Sequence, residues 1–508
     1  MEEVVNYGIL SLIPAILAVG LAFWTKNVIL SLLAALYAGC LVASMGNPWT
    51  AMQTMFSEHL FVDLTGSSNA QTIIMMSFVG GFVALIEATG GAKAFANAIA
   101  KKVHSKATAQ IANWVGGIVI FFSDSGNSLI LGPIFKPVMD RLNVSRSKLS
   151  YILDSTSSPV CILVPVTGWG VYIMGLIATE FENLGITETT DMQAFMGAVP
   201  YQFYAILALL LVPLSAASKR DFGPMYKAEV YCNQNGPKPE ELAAEATGDT
   251  KVREGATAWH MALPLLVMLA TIFIMFFSWG FPTQNVAGSK IRIALTSGYF
   301  LATVCIMIMS KISKIFKWME MIDIWVGGVK KMAGILAIII AAWGVGSVCT
   351  TLGTSEFVVQ VTQGFLSPKL VPALLFVVGT VISFATGTSW GTMAILLPLG
   401  IQMSVAFEIS TALTIGAVLS GSLFGDHCAP ISDTTVMSSM AAGASHMDHV
   451  RTQIPYAALA AFSAFVGYLI VGLLGLSAAP AIGVAIVILV VFYFLACKLW
   501  GGKVEVNK

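Results

Sequence analysis

Charge is what this chain has least of. Its 508 residues hold 27 lysines and arginines against 27 aspartates and glutamates, 11% in all and zero net, where a soluble domain averages about 25%. That balance leaves no basic surface for nucleic acid. CxxC pairs and secreted-type cysteine spacing are missing too. The seven cysteines, at 40, 161, 232, 305, 349, 428 and 497, are scattered and mostly inside apolar runs, so they read as free thiols filling space. Cys232 and His260 are too far apart to argue a zinc site and read as a loop thiol and an interfacial histidine. No nucleophile constellation is spaced for hydrolysis, no cofactor is called for, and the protein is not read as an enzyme. The opening MEEVVNYG is acidic rather than basic, so the first apolar run reads as a retained span and not a cleaved leader.

What is present is apolar sequence, 56% of all residues at a mean hydropathy of +0.81. The expected class is an all-α polytopic membrane protein. Runs near the ~20 residues that a bilayer requires fall at about 8–24, 28–45, 72–90, 148–178, 199–216, 258–281, 293–310, 333–351, 409–440, 454–476 and 480–499, about 11 transmembrane helices. Two further segments, about 108–140 and 370–406, read as re-entrant hairpins. The leading arm of the first would reach only about 22 Å as helix before Ser123-Asp124-Ser125-Gly126-Asn127-Ser128 interrupts it, short of a core of about 30 Å.

Basic residues set the expected orientation through the positive-inside bias. Lys101, Lys102 and Lys106, then Lys136 to Lys148, Lys219 to Lys227, Lys311 to Lys331 and Lys498 to Lys508 mark cytoplasmic segments. Segments 46–71 and 179–198 carry acids and no Lys or Arg, so they read as external; Lys290 and Arg292 run against the scheme. The N-terminus is therefore expected outside and the C-terminus in the cytoplasm.

Shifting residues 123–175 forward by 265 superposes Gly126 on Gly391, Pro133 on Pro398, Ser155 on Ser420, Ser157 on Ser422, Pro165 on Pro430 and Thr167 on Ser432 without a gap. The matched positions are helix breakers. Paired runs cross in opposite senses under the charge assignment, which makes the halves inverted-topology repeats with broken helices, a secondary-transporter architecture. The expected division is a first repeat over 1–216, a polar cytoplasmic linker over 217–257 in which Ala243–Ala246 reads as a short helix, a second repeat over 258–476, and an extra C-terminal helix and tail over 477–508.

Ionisable residues among spans cost several kcal/mol unless they face protein, water or an ion, and four clusters meet that description. They are the first hairpin tip, with Asp124 and Asn127; the run Asp154, Ser155, Thr156 and Ser157; the stretch holding Asp426 and His427; and Ser432, Asp433 and Thr434 beyond the Pro430 break. Thr388 and Ser389 form the uncharged tip of the second hairpin. Hard cations prefer oxygen ligands, so a Na⁺ site is expected at Asp124, Asp426 and Asp433. Asp154 could also anchor to Lys148 or Arg146. His446, His449, Asp448 and Arg451 read as a solvated helix start, and Glu87 as interfacial. Trp169 and Trp390 read as packing residues that are also placed to wall a larger cavity.

GDHCAPISDTT (425–435), HMDHVRTQIPY (446–456) and TKNVILSLLAALYAG (25–39) resemble the NhaC family of Na⁺/H⁺ antiporters within the ion-transporter superfamily, and the similarity extends over nearly the whole chain. The resemblance implies Na⁺ extrusion against H⁺ entry across the bacterial inner membrane, for pH homeostasis, with carboxylates that bind either ion in competition. The alternative is a Na⁺- or H⁺-coupled carrier of an organic solute, an amino acid or a dicarboxylate. Membrane lipid and small cations are the expected partners, a small organic solute stays open, and a homodimer is compatible with the sequence without being required by it.

Overall fold

A segment in hydrocarbon has no water to satisfy its backbone, and a helix closes those hydrogen bonds within itself. The computed structural model describes residues 7–25, 27–101, 103–239, 241, 253–281, 286–354, 357, 360 and 367–504, and it is nearly all helix. The first half runs α1 (Ile13–Thr25), α2 (Val28–Ala43), α3 (Pro48–Thr54), a π-helical stretch Met55–Leu60, α4 (Phe61–Thr65), α5 (Ser67–Thr89), α6 (Gly91–Ala100), α7 (Lys106–Val119), α8 (Asp124–Arg141), α9 (Arg146–Ser155), α10 (Ser158–Cys161), α11 (Gly168–Asn183), α12 (Asp191–Ala198) and α13 (Phe203–Ser218). After α14 (Gly223–Asn235) come α15 (Trp259–Ser278), α16 (Gly288–Ile312), α17 (Trp318–Lys331), α18 (Ala333–Thr351), α19 (Val371–Thr386), α20 (Ser389–Ala406), α21 (Thr411–Cys428), α22 (Asp433–Ala442), α23 (His446–Leu474) and α24 (Ala478–Trp500).

Among the described residues, eight helices are long and apolar enough to cross a bilayer, or ten if two bent pairs each count as one span. Two of the eight, Pro368–Thr386 and Ser389–Ala406, are the arms of the segment expected as the second hairpin, and three of the eleven expected runs are not straight spans. The 148–178 and 409–440 runs are each broken beside a proline. The first stops at Ser155 and restarts at Ser158-Pro159 and again at Gly168. The second stops at Cys428, where Ala429 is extended before Pro430, as the residue preceding a proline prefers to be. The 8–24 run yields a shorter apolar helix.

The repeat is visible in the helix starts. Helices α7, α8, α9 and α11 begin at 106, 124, 146 and 168, and α19, α20, α21 and α22 begin at 371, 389, 411 and 433. The spacing is 265 in all four. Both hairpins form as helix–turn–helix units, α7–α8 and α19–α20, and each turns on local chemistry. The Ser123 hydroxyl accepts from the Gly126 amide at 3.0 Å to start α8, and Gly387 ends α19 in the left-handed region at φ +69°, which glycine adopts freely. Across the halves, α8 packs on α22 and α20 on α11.

Several expectations change here. The linker does not hang free at its start. Arg220–Phe222 pairs antiparallel with Gly501–Lys503, Phe222 stacks on Tyr456 with ring centroids 4.3 Å apart, and Cys232 is a buried residue of α14 rather than a loop thiol. Ala243–Ala246 lies outside the described residues. Lys148 is fully buried and pairs with Asp221 at 2.6 Å, and Arg146 pairs with Asp140 at 3.1 Å. Neither is left to anchor Asp154. Arg292, which contradicted the charge scheme, is buried and ion-paired with Asp191, with Gln71 and Ser68 as further partners.

Candidate functional site

Three helix ends and one helix break converge where the halves meet. At the second-half break Asp426 is 2% exposed, and its carboxylate is held from both halves. The Ser158 hydroxyl donates to Asp426 Oδ2 at 2.6 Å and the Ser432 hydroxyl to Oδ1 at 3.1 Å. The Thr434 and Thr435 hydroxyls donate to the Asp426 carbonyl at 3.0 and 3.1 Å, tying the unwound end of α21 to the first turn of α22. Gly425 makes this geometry possible, because a side chain there would collide with the backbone at Ser383 and Phe384 of α19. The Asp426 carboxylate also feels the like charges of Asp433, Asp124 and Asp154 through space.

His427 and Asp154 form a neighbouring network that is polar but turned away from Asp426. His427 Nε2 meets the Ser155 hydroxyl at 2.9 Å and its Nδ1 meets the Tyr204 hydroxyl at 2.8 Å. Asp154 Oδ2 faces His449 Nε2 at 3.2 Å and accepts from the Gln453 amide at 2.9 Å. The same Gln453 amide donates to the His427 carbonyl. Asp154 Oδ1 and His449 Nδ1 are buried without a partner. His449 is therefore not part of a solvated segment. Residue 446 does start a helix, Arg451 is exposed, and Asp448 pairs with Lys238, but the periodicity of α23 turns His449 and Gln453 inward together, four residues apart on one face.

A cavity of about 340 Å³ opens beside this break. Asp124 and Asp433, the first residues of α8 and α22, line it, together with Trp169 of α11, Trp390 of α20, Glu87 of α5 and Lys331 of α17. The indole N–H of Trp169 donates to Asp124 Oδ2 at 3.0 Å, and the Trp169 and Trp390 rings lie 4.8 Å apart. Asp433 Oδ1 accepts from the Thr434 amide at 3.0 Å. Asp433 and Thr388 also line a second, more open cavity of similar volume.

The remaining expected site residues have defined places. Ser157 donates to the Asp124 carbonyl at 2.9 Å. Asn127 donates to the carbonyls of Gly117 and Thr156 at 2.8 and 2.9 Å, and so pins the hairpin tip to the α9 break. Thr156 bonds back to Ile152 at 2.9 Å, and Ser389 is buried with its hydroxyl unpartnered. Asp124, Asp426 and Asp433 do not converge as a three-carboxylate ligand set, and among the described residues no three of His, Cys, Asp and Glu are grouped to hold a metal. What gathers around Asp426 instead is hydroxyl oxygen.

Sequence reasoning missed Glu87, Tyr204 and Gln453. Glu87 was read as interfacial, yet it lines the cavity, where its carboxylate occupies the space that a side chain on Gly126 would need. A signal existed, because Glu87 is the only ionisable residue in the 23 residues of α5. Ser158 stands within the serine run already singled out. Tyr204 and Gln453 left no local signal.

A family model described as the Na⁺/H⁺ antiporter family matches residues 160–473. A Haemophilus influenzae protein carrying no assigned function is 31% identical over 96% of each chain. The Na⁺/H⁺ antiporter NhaC of Alkalihalophilus pseudofirmus is 26% identical over 33% of this chain and 38% of its own. Among solved structures, the YdaH transporter of Alcanivorax borkumensis superposes with a TM-score of 0.60 at 16% identity, covering 92% of this chain and 99% of that one, a likeness of fold. With the matched model covering more than half of the chain, including the Pro430 break, the chain belongs to the Na⁺/H⁺ antiporter family of secondary transporters.

Proposed function

We propose that this transporter exchanges Na⁺ for H⁺ across the bacterial inner membrane by alternating access, with Asp426 as the carboxylate for which the two ions compete. The observation that supports this reading is the pocket around Asp426, a nearly fully buried carboxylate with no basic partner among the described residues, surrounded by the hydroxyls of Ser158, Ser432 and Thr434. Carboxylate and hydroxyl oxygens suit a hard monovalent cation, by extension of the rule for hard divalents. A bare carboxylate in a low-dielectric interior is costly. Na⁺ or a proton removes that cost, and the charged, empty state is the one in which the halves would not rearrange. Asp124 and Asp433 flank the pocket as like charges that raise the demand for a cation.

The pocket draws on both halves, since Ser158 belongs to the first and Asp426 to the second. Relative movement of the halves would therefore make and break the site. In this reading the repeats are inverted, the hairpins are re-entrant, the N-terminus lies outside, and the linker and C-terminus are cytoplasmic.

The test is purified protein in proteoliposomes that hold an inside-acid pH gradient and a pH-reporting dye. Addition of NaCl should collapse the gradient, and the same concentration of choline chloride should not. A gradient that survives NaCl, in liposomes shown to contain inserted protein, would remove Na⁺/H⁺ exchange as the activity.

A further inference from the structure

The 340 Å³ cavity lined by Asp124 and Asp433 is larger than Na⁺ needs. Its volume falls in the range of small-molecule sites, about 300–1,000 Å³, whereas a cation held by direct oxygen ligands needs no cavity of that size. Two features define its chemistry. Glu87, Asp124 and Asp433 line it, with a single basic residue, Lys331, among the lining residues. Trp169 and Trp390 line it too, with rings 4.8 Å apart and the Trp169 N–H against Asp124. Trp169 is buried, but Trp390 is only half-buried in spite of its depth in the fold, so part of the ring borders open space. The edge of Tyr172 packs on Trp390 at 4.8 Å, and the Tyr172 hydroxyl donates to the Trp390 carbonyl at 2.8 Å, which holds that indole in place.

We infer that this cavity binds an organic solute carrying an ammonium group, an amine or an amino acid, and that it rejects dicarboxylates. An ammonium offers three N–H donors and no acceptor, matching a wall of carboxylate oxygens, and a cation is drawn to the face of an indole. Asp124 Oδ2 already accepts the Trp169 N–H and Oδ1 accepts from Ser125. Asp433 uses Oδ1 for the Thr434 amide and leaves its other oxygen without a protein donor among the described residues, where it borders both cavities. Asp433 is therefore the anchor for the ammonium, with Trp390 covering the carbon chain. A dicarboxylate would bring two further negative charges against three carboxylates and one lysine. For an amino acid, the α-carboxylate has Lys331 within the same wall.

This inference rests on the alternating-access reading of the same broken helices but not on the choice of Na⁺. Its test uses the full chain in proteoliposomes with radiolabelled lysine, putrescine, alanine and ethanolamine as one arm and malate and succinate as the other, beside the NaCl assay. At least one ammonium-bearing probe should accumulate about ten-fold above protein-free liposomes, and malate and succinate should not. Trp390→Leu and Glu87→Gln should each lower that uptake by about ten-fold and Trp390→Phe should restore most of it, as loss and rescue of a desolvated cation–π contact would, while Asp448→Asn, outside the cavity lining, should leave both uptake and NaCl-driven collapse of the pH gradient near wild type. Uptake of malate or succinate in place of the amines would overturn the proposal. So would amine uptake that neither Trp390→Leu nor Glu87→Gln changes, or an absence of uptake of all four ammonium probes by protein that still exchanges Na⁺. Amine uptake without any response to NaCl would uphold this site and remove the ion assigned to Asp426.

Discussion

The two halves share one scaffold and divide one chemistry between them. Helices α8 and α20 are repeat partners, and so are α11 and α22, with starts 265 residues apart. In each pair one helix opens with an aspartate and the other carries a tryptophan at its second residue. Asp124 opens α8 where Ser389 opens α20, which has Trp390 next; Asp433 opens α22 where Gly168 opens α11, which has Trp169 next. Because α8 packs on α22 and α20 on α11, both aspartates and both tryptophans come to line one cavity. A symmetric fold has produced an asymmetric site. The same holds for the ion pocket, where the position in α10 that corresponds to Asp426 is Cys161, whose thiol bonds to the Phe121 carbonyl at 3.1 Å.

That asymmetry can be broken at single positions, and the largest effect is expected at Asp426. Asp426→Asn keeps the shape and removes both the charge and the titrating proton, so Na⁺-driven proton movement in proteoliposomes should fall by about 100-fold or more, about 2.8 kcal/mol at about 1.4 kcal/mol per decade, with unchanged amounts of inserted protein. Normal exchange with an unchanged pH profile would make Asp426 a structural cap and move the ion site toward Asp124 and Asp154. Asp433→Asn is expected next, with a loss of about ten-fold, because its charge acts on Asp426 through space in a medium that screens less than water; the readout is the Na⁺ concentration giving half-maximal collapse of the gradient. Equal losses at Asp426 and Asp433 would mean that both ligate the ion directly.

Two further substitutions sharpen the comparison from the weak side. If the first half contributes no ion carboxylate at the position equivalent to Asp426, then Cys161→Ser, which retains a donor for the Phe121 carbonyl, should stay within about three-fold of wild type, a change below 1 kcal/mol and typical of a substitution that preserves its hydrogen bond. A collapse of activity there would give the first half a direct part in ion handling. Asp448→Asn should do least, within about two-fold in the same assay, since its partner Lys238 is partly exposed and such pairs are worth about 0–1 kcal/mol.

Much of this was legible in the sequence because it is written in local chemistry. Asp426, Asp433 and Asp124 were expensive residues in apolar surroundings, and Pro430 showed where one helix would stop, whereas the break inside 148–178 was read as a continuous span. The 265-residue shift was readable from breakers alone, and the helix starts at 389, 411 and 433 follow it. The reading went astray where a residue's meaning depended on a partner distant in the chain. His449 looked solvated among Asp448 and Arg451, yet it faces Asp154 from nearly 300 residues away. Glu87 looked interfacial because it sits near the end of α5, although the first hairpin tip folds back to meet it. Lys148 looked available to Asp154 because it precedes it by six residues, while Asp221, beyond α13, had already taken it.

The sequence by itself determined the helices, their breaks, the repeat and the membrane as solvent. Each follows from hydrogen bonds closed within a segment, from proline's missing donor and from the cost of charge in hydrocarbon, all properties of neighbouring residues. The tertiary structure alone decided that the hydroxyl reaching Asp426 across the halves would be Ser158, that Asp124 and Asp433 would share a wall, and that Trp169 would meet Trp390. Those pairings depend on which helix of one repeat packs on which helix of the other. That choice is made by the summed packing of whole helix faces, which no local pattern encodes.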